Sequence, residues 1–381
     1  MTVAASFDDP HTLPSGPVKS PVRTTWRVLS DPFGLYSELA ERYGDPFTLR
    51  TVRDHFVMTG DPELVRQIFA MPGGDTLPFA TEAMVPAVGE HSLLTMHGAA
   101  HTRARKLMMP AFHGKVVRAL GEVIDAVARR HISRVPEGGC VVFRELGADI
   151  SLEVIVRVIF GVTQEHAVRR VLDATREVLE SMRPSLMFFD FTRVAPFGLG
   201  PWARFQRALR ALDDLLYAEI RARREDPTRG EDDILAMMMA SVDEHGTPLS
   251  AEELRDELIT LLVAGHETTA TALAWGMYHV LCSPEIVRKL RSERSQAPSA
   301  TPTERARLPY LDAVVKETLR LYPIIPDVPR KITAPMQLGD YTLPAGVCIA
   351  AVSGLTHHDP ELYPEPMTFR PERFLERTYK P

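Results

Sequence analysis

Cysteine is scarce in this chain. The 381 residues hold three, Cys140, Cys282 and Cys348, with no C-x-x-C spacing. Three isolated thiols cannot build a disulfide framework, and the pattern suits a reducing cytoplasm. Long apolar runs are missing too. The most apolar stretch of the best helix, Leu258 to Gly265, falls far short of the ~20 residues of a bilayer-spanning helix. The opening MTVAASFDDPHTLPSGP has no basic n-region and no apolar h-region, unlike a secretory signal. No basic run occurs and the net charge is −6, which argues against nucleic acid as a partner. G-x-G-x-x-G is absent, so no dinucleotide-binding module is signalled. No internal repeat is visible. The expectation is a cytoplasmic protein with neither nucleic acid nor membrane as a partner.

What is present looks like an ordinary globular composition, 45% hydrophobic and 25% charged. Residues 1–24 are rich in Pro, Ser and Thr and read as a flexible arm. From 25 to 381 the chain reads as one mainly-α domain. Leu35–Tyr43 is a short helix and Phe47–Met58 a hairpin. Asp61 caps a helix to about Phe69, with Pro62 at its first position. Met71–Met96, with three Pro and three Gly, reads as an irregular loop. Helical spacing then dominates from His101 to about Glu225, clearest over Phe112–Ile132 and Trp202–Arg223. Pro184–Pro201 interrupts it with Met187, Phe188, Phe189 and Phe191 close together. Another helix covers Pro309–Leu321, and short strands follow Pro323.

A long helix is expected from Ser250 to Cys282. Ser250 and Glu253 form a capping box, and Ser283-Pro284 ends it. Its middle reads Ala264-Gly265-His266-Glu267-Thr268-Thr269. Gly costs about 1 kcal/mol against Ala in a helix interior, and Thr can bond the carbonyl four residues back. The residues alone allow a plain kink with a solvated Glu-His edge. An H-E-x-x-H zinc site is excluded, because Ala270 stands where the second His belongs.

Glu317 and Arg320 form E-x-x-R, a spacing that recurs at Glu63/Arg66, Glu180/Arg183, Glu252/Arg255, Glu285/Arg288 and Glu304/Arg307. Such pairs are by default solvated and worth at most about 1 kcal/mol. This one lies in the amphipathic LPYLDAVVKETLRLYP and is followed by FRPERF at Phe369–Phe374. Upstream, MHGAAHTRARKLMMPAF puts His101 and Arg105 on one helix face. The plain alternative is a basic helix edge in which Arg103 and Lys106 serve equally. His91, His97 and His101 lack an accompanying Cys or carboxylate, which argues against a metal cluster.

Together AGHETT, ETLR and FRPERF resemble the cytochrome P450 family, whose A/G-G-x-D/E-T-T/S signature is matched at every position. The resemblance runs from about residue 30 to the end. It implies a mainly-α, P450-like helical fold with small β-sheets, truncated at the C-terminus. It implies haem b (iron protoporphyrin IX) and a haem-thiolate monooxygenase that inserts one atom of O2 into an apolar substrate. Electrons would come from a ferredoxin-type donor and its reductase. Thr268 would donate a hydrogen bond to oxygen at the haem, and Glu267 would relay protons. Ala264 and Gly265 would lie against the haem, with Gly265 leaving room for oxygen. His101, Arg105 and Arg330 would hold the propionates. Glu317, Arg320 and Arg373 would form a structural network behind the cysteine loop. Leu77, Phe79, Met84, Met187, Phe188, Leu262, Ile324, Ile325 and Val328 map to pocket-lining regions.

In that family the iron is held by a cysteine in a Phe-x-x-Gly-x-Arg-x-Cys loop after the PERF segment. None of the three cysteines has those surroundings, so no metal ligand is assigned within the 381 residues. The expectation is a fragment of a working monooxygenase, with little thiolate-type oxygenation from these residues by themselves. The alternative is a naturally truncated, non-enzymatic helical protein that binds haem or an apolar ligand weakly.

Overall fold

The computed structural model describes residues 13–17, 20–52, 54–72, 74–79, 81–112, 115–161, 165–226, 233–377 and 379, except for the side chains of 115–119, 184, 188 and 190. They divide into two compact units, Met1–Phe79 with Ala313–Pro381, and Ala80–Asp312.

The first unit is built on a five-stranded sheet in the order β1-β2-β7-β4-β3. The strands are β1 (Phe47–Arg50), β2 (His55–Thr59), β3 (Thr76–Pro78), β4 (Asp327–Ile332) and β7 (Cys348–Val352). β5 (Met336–Leu338) and β6 (Tyr341–Leu343) form a separate two-stranded sheet. β1 and β2 are the expected hairpin, and β2 then pairs in parallel with β7, Val57 opposite Ile349. Strand alternation sorts the side chains. Phe56, Met58, Cys348, Ala350 and Val352 pack with Leu35, Tyr36 and Phe47, whereas Val57, Val347 and Ile349 pack with Leu64, Ile68 and Leu338. Both faces are covered, which is why β7 reads as an unbroken apolar run.

Two expectations change here. Helix Pro21–Ser30 begins inside the stretch read as a flexible arm, with Pro21 at its first turn; residues 1–12 of that arm lie outside the described residues. The stretch 71–96 is not a bare loop. β3 pairs with β4, Leu77 opposite Lys331. Thr81–Val88 is a helix despite Pro86, because Ala83, Ala87 and Val88 bury its face.

The link from helix Pro309–Leu321 to the FRPERF segment rests on one carboxylate. Glu317 is fully buried. Arg320 reaches it through Nε at 2.7 Å and Nη2 at 2.9 Å, Arg373 Nε at 3.0 Å, and the Arg370 backbone N–H at 2.8 Å. The remaining guanidinium donors go to main-chain carbonyls. Arg320 Nη1 bonds His357, and Arg373 bonds Pro364, Glu365 and Thr368. The Tyr363 ring lies under Arg320 at 5.1 Å. Three side chains thus set the path of residues 357–373.

The second unit is helical. Its core gathers Val156, Ile159, Phe205, Leu212, Leu216, Leu258 and Leu262. The long helix runs Ala251–Cys282 with both halves of the Ser250/Glu253 capping box made. It packs antiparallel along Phe143–Phe160. A Cβ on Gly147 would meet the Ala270 carbonyl at 3.3 Å, and one on Gly265 would meet Ile155 at 3.1 Å. Glycine lets the two backbones approach at both points.

Glu257 on this helix is completely buried. Neither carboxyl oxygen has a hydrogen-bond partner of full geometry among the described residues. Burial pushes its pKa up to about 8, against a slight lowering by the nearby Leu93 backbone.

Two predictions follow from these buried charges. Glu317→Ala strands two guanidinium groups and should cost about 3–5 kcal/mol in urea unfolding; a loss under about 1 kcal/mol would contradict the network. For Glu257 the folded state keeps a proton that the unfolded chain releases near 4.5. Stability from this group is therefore greatest below that pH and is lost as pH rises toward about 8, by a few kcal/mol in all. Glu257→Gln should melt with wild type at pH 5 and above it at pH 8.5. A gap independent of pH would contradict the assignment.

Candidate active site

The AGHETT segment forms one continuous turn-and-a-half of the long helix. Thr268 Oγ1 donates to the Ala264 carbonyl at 2.6 Å. The Ser151 hydroxyl donates to the His266 carbonyl at 3.0 Å from the neighbouring helix. Two hydroxyls therefore tap this stretch of ladder, which is how Thr and Ser bend helices. Ala264 is exposed and Thr268 half-buried, while Ala270 just beyond is buried.

Gly265 needs a correction. Its missing side chain faces Ile155, so its small size serves helix packing rather than room for oxygen. The exposed position of the pair is Ala264. Helix phase decides which face each small residue occupies.

Glu267 is half-exposed and pairs with Arg144 Nη2 at 2.9 Å. Both border a cavity of about 400 Å³ that also touches Asp149, Arg176, Glu180 and His266. Asp149 and Arg176 pair across it at 2.9 Å. The carboxylate thus has access to water and to a fixed cation. The His266 ring is mostly enclosed, and burial holds its pKa below the usual value. Arg144, 123 residues from Glu267 in sequence, carried no sequence signal.

On helix Gly98–Met108 the basic residues divide clearly. Arg103 is engaged by Asp243 at 2.7 Å and Glu253 at 2.8 Å, and Lys106 lies 3.8 Å from Glu244. Arg103 holds the Asp243 carboxyl down at about 2. Arg105 is exposed and meets no carboxylate among the described residues. His101 is half-buried, and burial together with the Arg105 charge lowers its pKa. The four basic positions are therefore not equivalent, and His101 with Arg105 is the pair left open to an external anion. That donor set fits a carboxylate such as a haem propionate.

In the first unit Arg330, on β4, donates Nη1 to the Ile68 carbonyl at 3.1 Å and lies over the Phe69 ring at 5.3 Å. It too meets no carboxylate among the described residues. The expected pocket residues scatter. Met187 and Leu262 are members of the packed helical core, with Met84 against it. Phe79 makes an edge contact with Phe56 at 4.9 Å. These four apolar side chains have core packing as their partners. Leu77 and Ile325 are exposed, and Ile324 and Val328 half-buried. The Phe188 side chain lies outside the described residues.

The cysteines do not suit an iron ligand. Cys140 and Cys282 are exposed on the second unit. Cys348 is buried in β7, and burial pushes its thiol up to about 12. A thiolate ligand needs the opposite shift.

Comparison with known proteins bears on the family and the fold. The cytochrome P450 family model matches residues 14–380. The cytochrome P450 135B1 of Mycobacterium tuberculosis is 34% identical over 97% of this chain and 78% of its own length. The cytochrome P450 135A1 of the same organism is 33% identical over 89% and 74%. Among solved structures, retinoic acid-bound cyanobacterial CYP120A1 superposes with a TM-score of 0.81 over 97% of this chain and 84% of that one. At 24% identity that likeness concerns the fold alone. With a signature turn, a buried Glu-Arg-Arg network and a family match along nearly its whole length, the chain belongs to the cytochrome P450 family.

Proposed function

We propose that this protein is a monooxygenase that binds haem b and oxidises an apolar small molecule, taking electrons from a separate ferredoxin-type donor. The observation that carries the reading is the local pairing at 264–268: a hydroxyl bonded to the carbonyl one turn back, next to a water-accessible carboxylate. His101, Arg105 and Arg330 are the proposed propionate partners, because they meet no carboxylate among the described residues. The haem, when bound, supplies the redox chemistry that no side chain can provide.

Each protein group has a stated task. Thr268 Oγ1 holds a proton on the exposed face of the helix and can turn from the Ala264 carbonyl to an oxygen placed there. Glu267 takes protons from water in the adjoining cavity and passes them toward that hydroxyl. Arg144 orients the carboxylate through their 2.9 Å ion pair. Substrate contacts are assigned to the exposed Leu77 and Ile325 and the half-buried Ile324 and Val328, which leave apolar surface open to a ligand.

Two measurements test this. In haem titrations followed by Soret absorbance, His101→Ala with Arg105→Ala should weaken binding at least tenfold. Arg103→Ala should leave it within about twofold while lowering the melting temperature. Equal losses in both would return Arg105 to an ordinary basic edge. In a longer form of the protein that carries the family's cysteine loop, Thr268→Ala should let oxygen consumption run well ahead of product. Unchanged coupling would remove Thr268 from the proton path.

A further inference from the structure

Residues 89–95 lie against one turn of the long helix and are held there by short polar contacts. Asp256 Oδ2 accepts the His91 backbone N–H at 3.0 Å and lies 3.2 Å from the His91 ring Nδ1. The hydroxyls of Thr260 and Ser92 are hydrogen-bonded at 2.6 Å. A Cβ on Gly89 would fall 2.1 Å from the Asp256 carboxyl. Between these contacts the Leu93 backbone comes up against Glu257. The segment is made of turns, with the Thr95 and Met96 N–H groups both returning to the Ser92 carbonyl. It leads directly into helix Gly98–Met108, which carries His101 and Arg105.

Glu257 lies under the middle of this contact, completely buried. The charges around it oppose ionisation. On its own helix Glu253 and Asp256 repel a further negative charge. The cations of the neighbouring elements are committed elsewhere. Arg255 binds Asp213 at 2.7 Å and Asp256 at 2.8 Å, and Arg103 binds Asp243 and Glu253. From the segment itself, His91 faces Asp256 and Glu90 is exposed. On helix Pro201–Glu225, burial keeps Tyr217 neutral by raising its pKa.

We propose that Glu257 is a positioning residue that works with its proton on: as a neutral acid it seats residues 89–97 on the long helix and so fixes the start of the helix that carries His101 and Arg105. Arg103 ties the middle of that helix to Asp243 and Glu253, and the seated segment sets its first turn. A carboxylate buried without a partner is costly, so loss of the proton favours lifting the segment and letting water in. Burial pushes the pKa up to about 8, against 4.5 for the exposed group. Local opening therefore grows easier as pH rises from 4.5 and levels off near 8. What His101 and Arg105 then do rests on the haem assignment above, and because the test uses the haem-free chain the two can fail separately.

Amide hydrogen exchange of the haem-free 381-residue chain, expressed as protection factors at pH 5.5 and pH 8, is the test. Residues 89–97 and 101–103 should be at least tenfold less protected than helix Phe143–Phe160. Both should lose at least a further tenfold at the higher pH. Glu257→Gln, which cannot ionise, should hold its protection across the range with an unchanged circular dichroism spectrum. His91→Gln should keep the pH-dependent loss, which separates Glu257 from the imidazole beside Asp256. No loss in the unaltered chain, a loss that persists in Glu257→Gln, or one that disappears in His91→Gln would each overturn the assignment. Protection equal to that of helix Phe143–Phe160 at both pH values would do so too, because opening would then be global. A loss at 89–97 with none at 101–103 would show that the start of the helix does not depend on Glu257, which also overturns it.

Discussion

A single buried carboxylate organises the C-terminal part of this chain. Glu317 is fully buried and accepts from two guanidinium groups and one backbone amide, so each partner depends on the others. Burying ions costs several kcal/mol unless geometry and hydrogen bonding are complete. Here the arginines complete it by spending their other donors on the carbonyls of 357–368. The network therefore does more than hold two elements together. It dictates the course of an irregular segment that has little regular hydrogen bonding of its own. The sheet of the same unit adds a second constraint, since strands from both ends of the chain share its two covered faces.

In the helical unit the comparable constraint is close approach. Gly147 and Gly265 bring two long helices together, and Ser151 joins them through the His266 carbonyl. The packing fixes the phase of the long helix. Phase then determines that Ala264 and Thr268 share the open face while Glu267 turns toward Arg144 and solvent. Chemistry at this turn is a consequence of packing on its far side. The acid is fixed by a cation from a distant helix, so its orientation does not depend on local backbone alone.

Much of this was legible where the signal is local. The Ser250/Glu253 box, Pro62, the length of the long helix and the hairpin at 47–59 are all set by neighbours within a few residues, and each is found. The E-x-x-R pair was ambiguous by spacing, and only FRPERF downstream separated it from five similar pairs. Long-range facts were not legible. Proline and glycine counts hid β3, whose partner β4 lies more than 250 residues on. Arg103 and Arg105 look interchangeable in sequence. They differ because Asp243 and Glu253, 140 and 150 residues away, occupy one and not the other. Gly265 was read for its size and not for its direction. Nothing around Glu257 in the sequence signals its complete burial.

The central claim is that His101 and Arg105, which meet no carboxylate among the described residues, hold the carboxylates of a haem. Affinities for haemin and for haemin dimethyl ester, which lacks free propionates, test it most directly. The account predicts that esterification weakens binding to the unaltered chain at least tenfold, about 1.4 kcal/mol. It should matter little once both residues are alanine. Equal affinity for the two compounds in the unaltered chain, or the same penalty after both substitutions, would contradict it.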